Sequence, residues 1–328
     1  MQAYSGVCIV DGQAQAFYRA FARNKFDQLS RGIFHRESWM HRLRTHVPMD
    51  GAMLLSRTCP ACRTGGAQLR KNRYSHGDWV LKECLTCGFV FLENPPDYAT
   101  LQVQFSWENT SGLQNEARRK SYTRGEYAVR SAIKSVRSLT NSLIRRDKHV
   151  SLGYRYFRQG WIVDLGCGLG NFGPLPPSCK LLGIEISNRI AADARPIFES
   201  RGGRIIHADV LSGLQSLEAG SCDGALVESY LEHEVQPAEV LRELSRVLRA
   251  GSAIILKLPN YACWNRLVRG KKWCGFRLPD HVNYFTPSTL RALLEQQGFE
   301  IVRFTLLDRL WTSDNMWCVA RKKEYSAS

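Results

Sequence analysis

The 328-residue sequence contains no run of about twenty apolar residues, and no apolar core follows a basic start at its N-terminus. Neither a membrane span nor a secretion signal is indicated. Acidic side chains are also in short supply, 30 Asp and Glu against 45 Lys and Arg, for a formal net charge of +15. Spread evenly, that imbalance would point to nucleic acid. It is not spread evenly. Residues 1–58 carry eight basic side chains against four acidic, residues 59–160 seventeen against eight, and residues 161–328 twenty against eighteen. The last region is nearly neutral. The charge concentrates in Arg118–Arg158, with twelve basic and two acidic residues. Such a segment could meet phosphates, an acidic partner or a membrane surface, and a merely solvated helical face is the simpler expectation. A paired cysteine complement is missing too. Eleven cysteines, mostly single, with Cys167 inside a glycine turn that a disulfide would obstruct, fit a reducing cytoplasm and not a disulfide framework.

What is present divides the chain into four parts. Residues 1–55 form a basic extension in which Phe17, Ala20, Phe21, Phe26, Leu29 and Ile33 keep helical gaps among arginines. Residues 56–97 hold Cys59-Pro-Ala-Cys62 and Cys84-Leu-Thr-Cys87, two C-x2-C knuckles twenty-one residues apart. Four thiolates on two tight turns suit tetrahedral zinc, which can replace the core that so short a segment lacks. The expectation is a structural zinc ribbon with strands over Trp79–Lys82 and Phe89–Leu92. Four cysteines already close the site, which leaves His76 outside it. Asn94-Pro95-Pro96-Asp97 ends this module. It is similar to the N/D-P-P-aromatic motif of amino-methylating nucleic-acid enzymes, but Asp97 replaces the aromatic and the motif precedes the glycine turn, so it carries no weight. Residues 98–160 read as a basic connector, with a helix over Glu126–Ile144 able to close over a substrate.

From Trp161 short apolar strands alternate with helices, the pattern of an open α/β sheet. Strands are expected at Trp161–Leu165, Leu181–Ile186, Arg204–Ala208, Asp223–Val227 and Ala253–Leu258, with helices over Ile190–Ser200 and Pro237–Arg249. The first strand runs into Gly166, Gly168 and Gly170, a turn that brings backbone close to a ligand. Glu185 closes the second strand nineteen residues after Gly166, the interval at which a carboxylate meets ribose hydroxyls. Asp209 follows the third strand, placed to accept from an adenine amine. Near the C-terminus Thr286 caps a helix begun by Pro287 and stopped by Gly298, and Phe299–Leu307 and Met316–Arg321 form the last, antiparallel strands. One break stands out. Gly173-Pro174-Leu175-Pro176-Pro177 interrupts the helix due after the glycine turn, which is expected to be one turn long or displaced.

Trp161–Ala320 resembles the class I S-adenosylmethionine-dependent methyltransferases. VDLGCGLG is similar to their first motif, LLGIEIS to their second, and the stretch from Ser221 to Asn260, with Leu231-Glu232-His233 after the fourth strand, to the ubiquinone and sugar methyltransferase subgroup. The four-cysteine ribbon followed by Cys87-Gly-Phe-Val-Phe-Leu resembles the segment preceding that domain in enzymes acting on nucleotide-linked sugars and on other surface-saccharide or natural-product precursors. The resemblance implies a Rossmann-like sheet, parallel with one antiparallel strand. It implies S-adenosylmethionine contacts from Asp164, Gly166, Cys167, Gly168, Gly170, Glu185, Ile186, Asp209, Val210 and Glu228, and a small-molecule acceptor. Methyl transfer needs alignment and, for most acceptors, loss of a proton. The candidate base is His233, with Glu232 orienting it or binding a cation, and His281 and Tyr284 in reach from the HVNYF segment. Two other readings are an RNA methyltransferase gripping its substrate through connector and ribbon, and a cofactor-binding regulator without turnover.

Overall fold

A computed structural model gives the fold for residues 54–97, 148–170 and 173–324. Residues 1–53 of the expected extension and 98–147 of the expected connector, including its helix over Glu126–Ile144, lie outside the described residues.

The main sheet has seven strands. In chain order they are β4 (Gly160–Leu165), β5 (Cys179–Glu185), β6 (Arg204–His207), β7 (Cys222–Glu228), β8 (Leu248–Pro259), β10 (Phe299–Arg303) and β11 (Asn315–Lys322). Their spatial order is β10-β11-β8-β7-β4-β5-β6. β4 pairs in parallel with β5 and β7, β5 with β6, and β7 with β8. β11 runs antiparallel to both β8 and β10 and is therefore the reversed strand of the sheet. Parallel strands covered on both faces need near-continuous apolar side chains. Ile162, Val163, Leu165, Ile184, Ala225, Ile254, Ile255 and Leu256 are wholly buried.

Helices cover the faces. α1 (Lys148–Tyr156) enters ahead of β4, α2 (Asn188–Glu199) links β5 to β6, and α3 (Val210–Gln215) follows β6. α4 (Pro237–Val247) starts on its proline and seats Val240, Leu241, Leu244 and Val247, all fully buried, in the core. After α5 (Trp264–Arg269), α6 (Pro287–Gln296) is capped reciprocally by Thr286 and Thr289 and buries Leu290, Leu293 and Leu294. Among the described residues no helix is long and apolar enough to cross a membrane.

A second sheet, of four strands, contains β1 (Leu69–Lys71), β2 (Leu81–Cys84), β3 (Val90–Leu92) and β9 (Asn283–Tyr284), each antiparallel to the next. The first three come from the cysteine module. The fourth comes from the segment before α6, so the two parts of the chain share one sheet.

Four local expectations are corrected. No helix occurs between Gly173 and β5, where a short or displaced one was expected. The prolines keep the chain extended, and Leu175 packs at Gly153 of α1. α4 ends at Val247, two residues early, because Leu248 pairs with Cys222 and opens β8 ahead of a register shift. The second ribbon strand begins at Leu81, since Trp79 is held in a tight backbone turn with His76. β10 stops at Arg303, because Thr305 donates from its backbone and side chain to Asp308 at 3.0 and 2.7 Å and turns the chain.

Candidate active site

The order of the main sheet reverses between β4 and β7, and ligands of open α/β sheets bind outside the carboxyl ends of strands at such a point. The glycine turn occupies that position after β4. Gly166 and Gly170 sit at φ 62° and 72°. The Tyr230 ring crowds the first and the Phe198 ring the second, leaving no room for a Cβ. Cys167 donates from its backbone to Ile184 at 3.1 Å. Its thiol is buried against Gly183, and burial together with the carboxylates of Asp164 and Glu185 pushes its pKa far up, so it is an inert packing group.

Glu185 is buried at the end of β5, and both its oxygens face backbone. Oε2 accepts from Gly168 N–H at 2.9 Å and Oε1 from Ser187 N–H at 2.9 Å. It thereby fixes the glycine turn and the start of α2, with lone pairs left for a ligand diol. Asp164, also buried, is pushed well above the usual carboxylate range, first by burial and then by the charges of Glu228 and Glu185. These three carboxyl groups make a site in which a cationic ligand relieves repulsion. Asp209 accepts from Ser212 N–H at 2.9 Å as the cap of α3, whose Val210 is buried. The Ile186 carbonyl meets His207 Nε2 at 3.1 Å. Glu228, at the end of β7, pairs with His149 of α1 and lies 3.9 Å from Lys257.

β7 leaves the sheet through Ser229, a non-glycine residue at φ 51°. Such backbone strain collects at sites where a chain must aim side chains. The residues it aims are Tyr230, Glu232 and His233. The Tyr230 hydroxyl donates to Glu234. His233 Nδ1 faces Asp280 Oδ1 at 2.9 Å, and Asp280 faces Arg277 at 3.4 Å. Burial alone would lower the His233 pKa, but the charge and hydrogen bond of Asp280, joined by Glu232, leave it raised. His281 is deeply buried with Nδ1 2.9 Å from Gly275 O, and burial plus the neighbouring His233 hold its pKa well below the usual value. The two imidazole rings meet edge to face with centroids 4.6 Å apart. Glu232 is buried, its carboxyl is raised by burial, and its Oε2 has no hydrogen-bond partner among the described residues.

Glu232, His233 and His281 thus come together. Tyr284 does not join them. It lies in β9, buried among Tyr261 and Phe276, and its hydroxyl donates to the His281 carbonyl at 2.8 Å. It supports the loop that carries His281. Three contributors escaped the sequence reading. Asp280 aligns His233. Tyr230 covers Gly166. Arg57, buried in the ribbon, donates to the carbonyls of Leu92, Val282 and Val235 at 3.1, 3.3 and 2.7 Å and to Asn283 Oδ1 at 3.1 Å. Its partners lie up to 226 residues away in sequence. No local signal marks it.

The four knuckle cysteines converge, with ligand atoms all within 4.8 Å of one another. Cys59 and Cys87 sulfurs are 3.5 Å apart, as are those of Cys62 and Cys84. That is too long for a disulfide. It is close to the edge of a ZnS4 tetrahedron, about 3.8 Å for a Zn–S bond of about 2.3 Å. Burial pushes the Cys59 thiol to about 11, while Cys62, hydrogen-bonded through Thr64, is lowered to about 7. The donor set fits zinc. His76 stays in its turn with Trp79, outside the cluster. Asn94 is spent on structure, accepting from Val80 N–H and donating to Asp78 O, both at 2.8 Å.

Residues 141–303 match a family described as a methyltransferase domain. An uncharacterized 37.1 kDa protein in transposon TN4556 of Streptomyces fradiae is 34% identical over 104 residues, which span 30% of this chain and 30% of that protein's own length. The ubiquinone/menaquinone biosynthesis C-methyltransferase UbiE of Syntrophotalea carbinolica is 26% identical over 166 residues, covering 44% of this chain and 70% of the relative. Among solved structures, a SAM-dependent methyltransferase from Archaeoglobus fulgidus shares 19% identity at a TM-score of 0.42, over 57% of this chain and 94% of that one. Residues 141–303 thus form a methyltransferase domain of the class I S-adenosylmethionine-dependent type.

Proposed function

We propose that the chain transfers the methyl group of S-adenosylmethionine to a small-molecule acceptor, a nucleotide-linked sugar or another surface-saccharide or natural-product precursor. The observation that carries this is the placement, after two neighbouring strands, of two different chemistries. The glycine turn of β4 with Asp164, Glu185 and Glu228 suits a cationic, diol-bearing cofactor, and the exit of β7 presents Glu232 and His233 beside His281. When bound, the cofactor supplies an electrophilic methyl on a sulfonium. The protein's task is alignment and lowering the cost of taking the acceptor's proton. His233 is the most exposed member of its cluster and marks the side from which an acceptor enters, with Asp280 holding its ring.

The cysteine module is read as a structural zinc ribbon, because four sulfur ligands leave no open position for chemistry. Its sheet is continued by β9, which adjoins His281, so the ribbon forms part of the acceptor side. The near-neutral methyltransferase region supports a small molecule over RNA. The test is a methyl-transfer assay with labelled S-adenosylmethionine against separate nucleotide-sugar and RNA pools. Label should enter the sugar pool, and His233→Gln should abolish transfer while cofactor binding persists. Absence of cofactor binding, or transfer confined to RNA, overturns the reading.

A further inference from the structure

We infer that Glu232, His233 and His281 form a binding site for one divalent first-row transition-metal ion, separate from the cysteine site. Each residue offers one ligand atom, and these atoms lie within 4.8 Å of one another. Two imidazoles and one carboxylate are the donor set that binds such ions while leaving positions open for exogenous ligands. Around a common ion at about 2.0–2.2 Å such atoms lie about 3.3–3.6 Å apart, so binding draws the three together by up to about 1.5 Å.

Two further observations distinguish this cluster from a chance gathering of polar groups. Both imidazoles already have one ring nitrogen engaged by an oxygen. The Nδ1 of His233 is tied to Asp280 Oδ1 at 2.9 Å and that of His281 to Gly275 O at 2.9 Å, so Nε2 of each ring is the nitrogen left for an ion. A carboxylate or carbonyl behind each metal-binding histidine is the usual outer support of such sites. The second is Glu232 Oε2, which is buried without a hydrogen-bond partner among the described residues. A buried carboxylate oxygen left unpaired is costly, and a cation resolves that cost.

The ligands come from two separated stretches, the turn after β7 and the loop before β9. The more exposed face of His233 leaves an open side. An acceptor bearing neighbouring oxygens could occupy the free positions, and its hydroxyl would then lose a proton more easily. With an ion on its Nε2, His233 serves the reaction by holding that ion, and the acceptor's proton passes to water at the open side as its oxygen takes the methyl group. This role rests on the methyltransferase reading, whereas the binding of the ion does not.

The test uses the full-length protein, zinc-loaded at the cysteines and freed of weakly bound ions by gel filtration, then titrated calorimetrically with zinc, manganese or cobalt. Wild type should take up one ion beyond that held by the cysteines. Glu232→Gln and His281→Gln should each weaken this binding at least tenfold while retaining the cysteine-bound zinc and cofactor binding. Should a variant fail to fold, the cobalt spectrum of the wild type decides. Ligand-field bands without additional thiolate charge transfer support a nitrogen and oxygen site. No saturable uptake beyond the cysteine site, or undiminished binding by folded variants, overturns the inference. Ion uptake without cofactor binding would sink the methyltransferase reading alone, and methyl transfer by a protein that takes up no second ion would sink the inference alone.

Discussion

Arg57 provides the sharpest test of how the ribbon is joined to the rest of the molecule. Its guanidinium is buried and makes four hydrogen bonds, two of them to the loop that carries Val282 and Asn283 and one to Val235 just ahead of α4. Arg57→Met keeps the apolar stem over Phe91, where the guanidinium lies 5.6 Å from the ring centroid, and removes every donor. A hydrogen bond to a charged group contributes about 1.5–3 kcal/mol, and stranding a buried acceptor costs about 1–3 kcal/mol. The four bonds share one charge and do not add. The methionine also recovers part of the loss through apolar burial. The net expectation is a destabilisation of about 3 kcal/mol, or a fall in Tm of at most about 6–12 °C, taking the about 2–4 °C per kcal/mol of domains of about 150–250 residues as the upper bound. Urea unfolding followed by tryptophan fluorescence and by circular dichroism measures it. Arg63→Met is the internal control. Arg63 pairs with Glu239 at 3.1 Å, but its side chain is 76% exposed, and such pairs contribute little. If Arg57→Met costs no more than Arg63→Met, the idea that a buried guanidinium joins the ribbon to the loop of Val282 and Asn283 is refuted.

Three other predictions follow from the site. Glu185→Ala removes the carboxylate that holds Gly168 and Ser187, and calorimetry should find S-adenosylmethionine affinity down at least tenfold, about 1.4 kcal/mol; unchanged affinity would mean that the cofactor sits elsewhere. Asp164 has a folded-state pKa above its unfolded value, so its contribution to stability is fully present below the unfolded pKa and is lost as pH rises toward the folded one. Asp164→Asn should therefore gain stability over wild type at neutral and alkaline pH, lose that gain in acid, and bind the cationic cofactor more weakly, all readable from melting curves with and without ligand. Metal analysis should find zinc held by Cys59, Cys62, Cys84 and Cys87, and Cys84→Ser should release it and lower the Tm; a zinc-free protein with a wild-type melt would discard the ribbon's metal.

The main sheet was legible because parallel strands buried on both faces must be written as apolar runs, and Trp161–Val163 and Ala225–Val227 are such runs. The glycine turn and Glu185 were legible because a backbone turn and its partner carboxylate recur at a fixed interval. What failed was governed by registry or by distance. The start of β8 at Leu248 depends on a pairing with Cys222 that no window around Gly251 contains. The lack of a helix over residues 173–178 was signalled by Pro174, Pro176 and Pro177, but the packing of Leu175 at Gly153 was not. Within the candidate site, Glu232 and His233 announced themselves in one tripeptide. Asp280 could not, because its partnership with His233 spans 47 residues. Tyr284 had the right chemistry in the right segment, but strand alternation turned it into the aromatic cluster and left His281 to face His233.

The short strand Asn283–Tyr284 bears on how this protein can be cut and recombined. It pairs with Val90 and Phe91 of the ribbon, so a truncated chain beginning after residue 97 would strip that loop of its hydrogen-bonding neighbour, and an isolated ribbon would carry the bare edge of β3 into solvent. Unpaired edges of that kind invite aggregation. A chimera meant to exchange acceptor preference should therefore transplant residues 54–97 and the segment from Asp280 to Phe285 as one unit, although almost two hundred residues of sequence separate them.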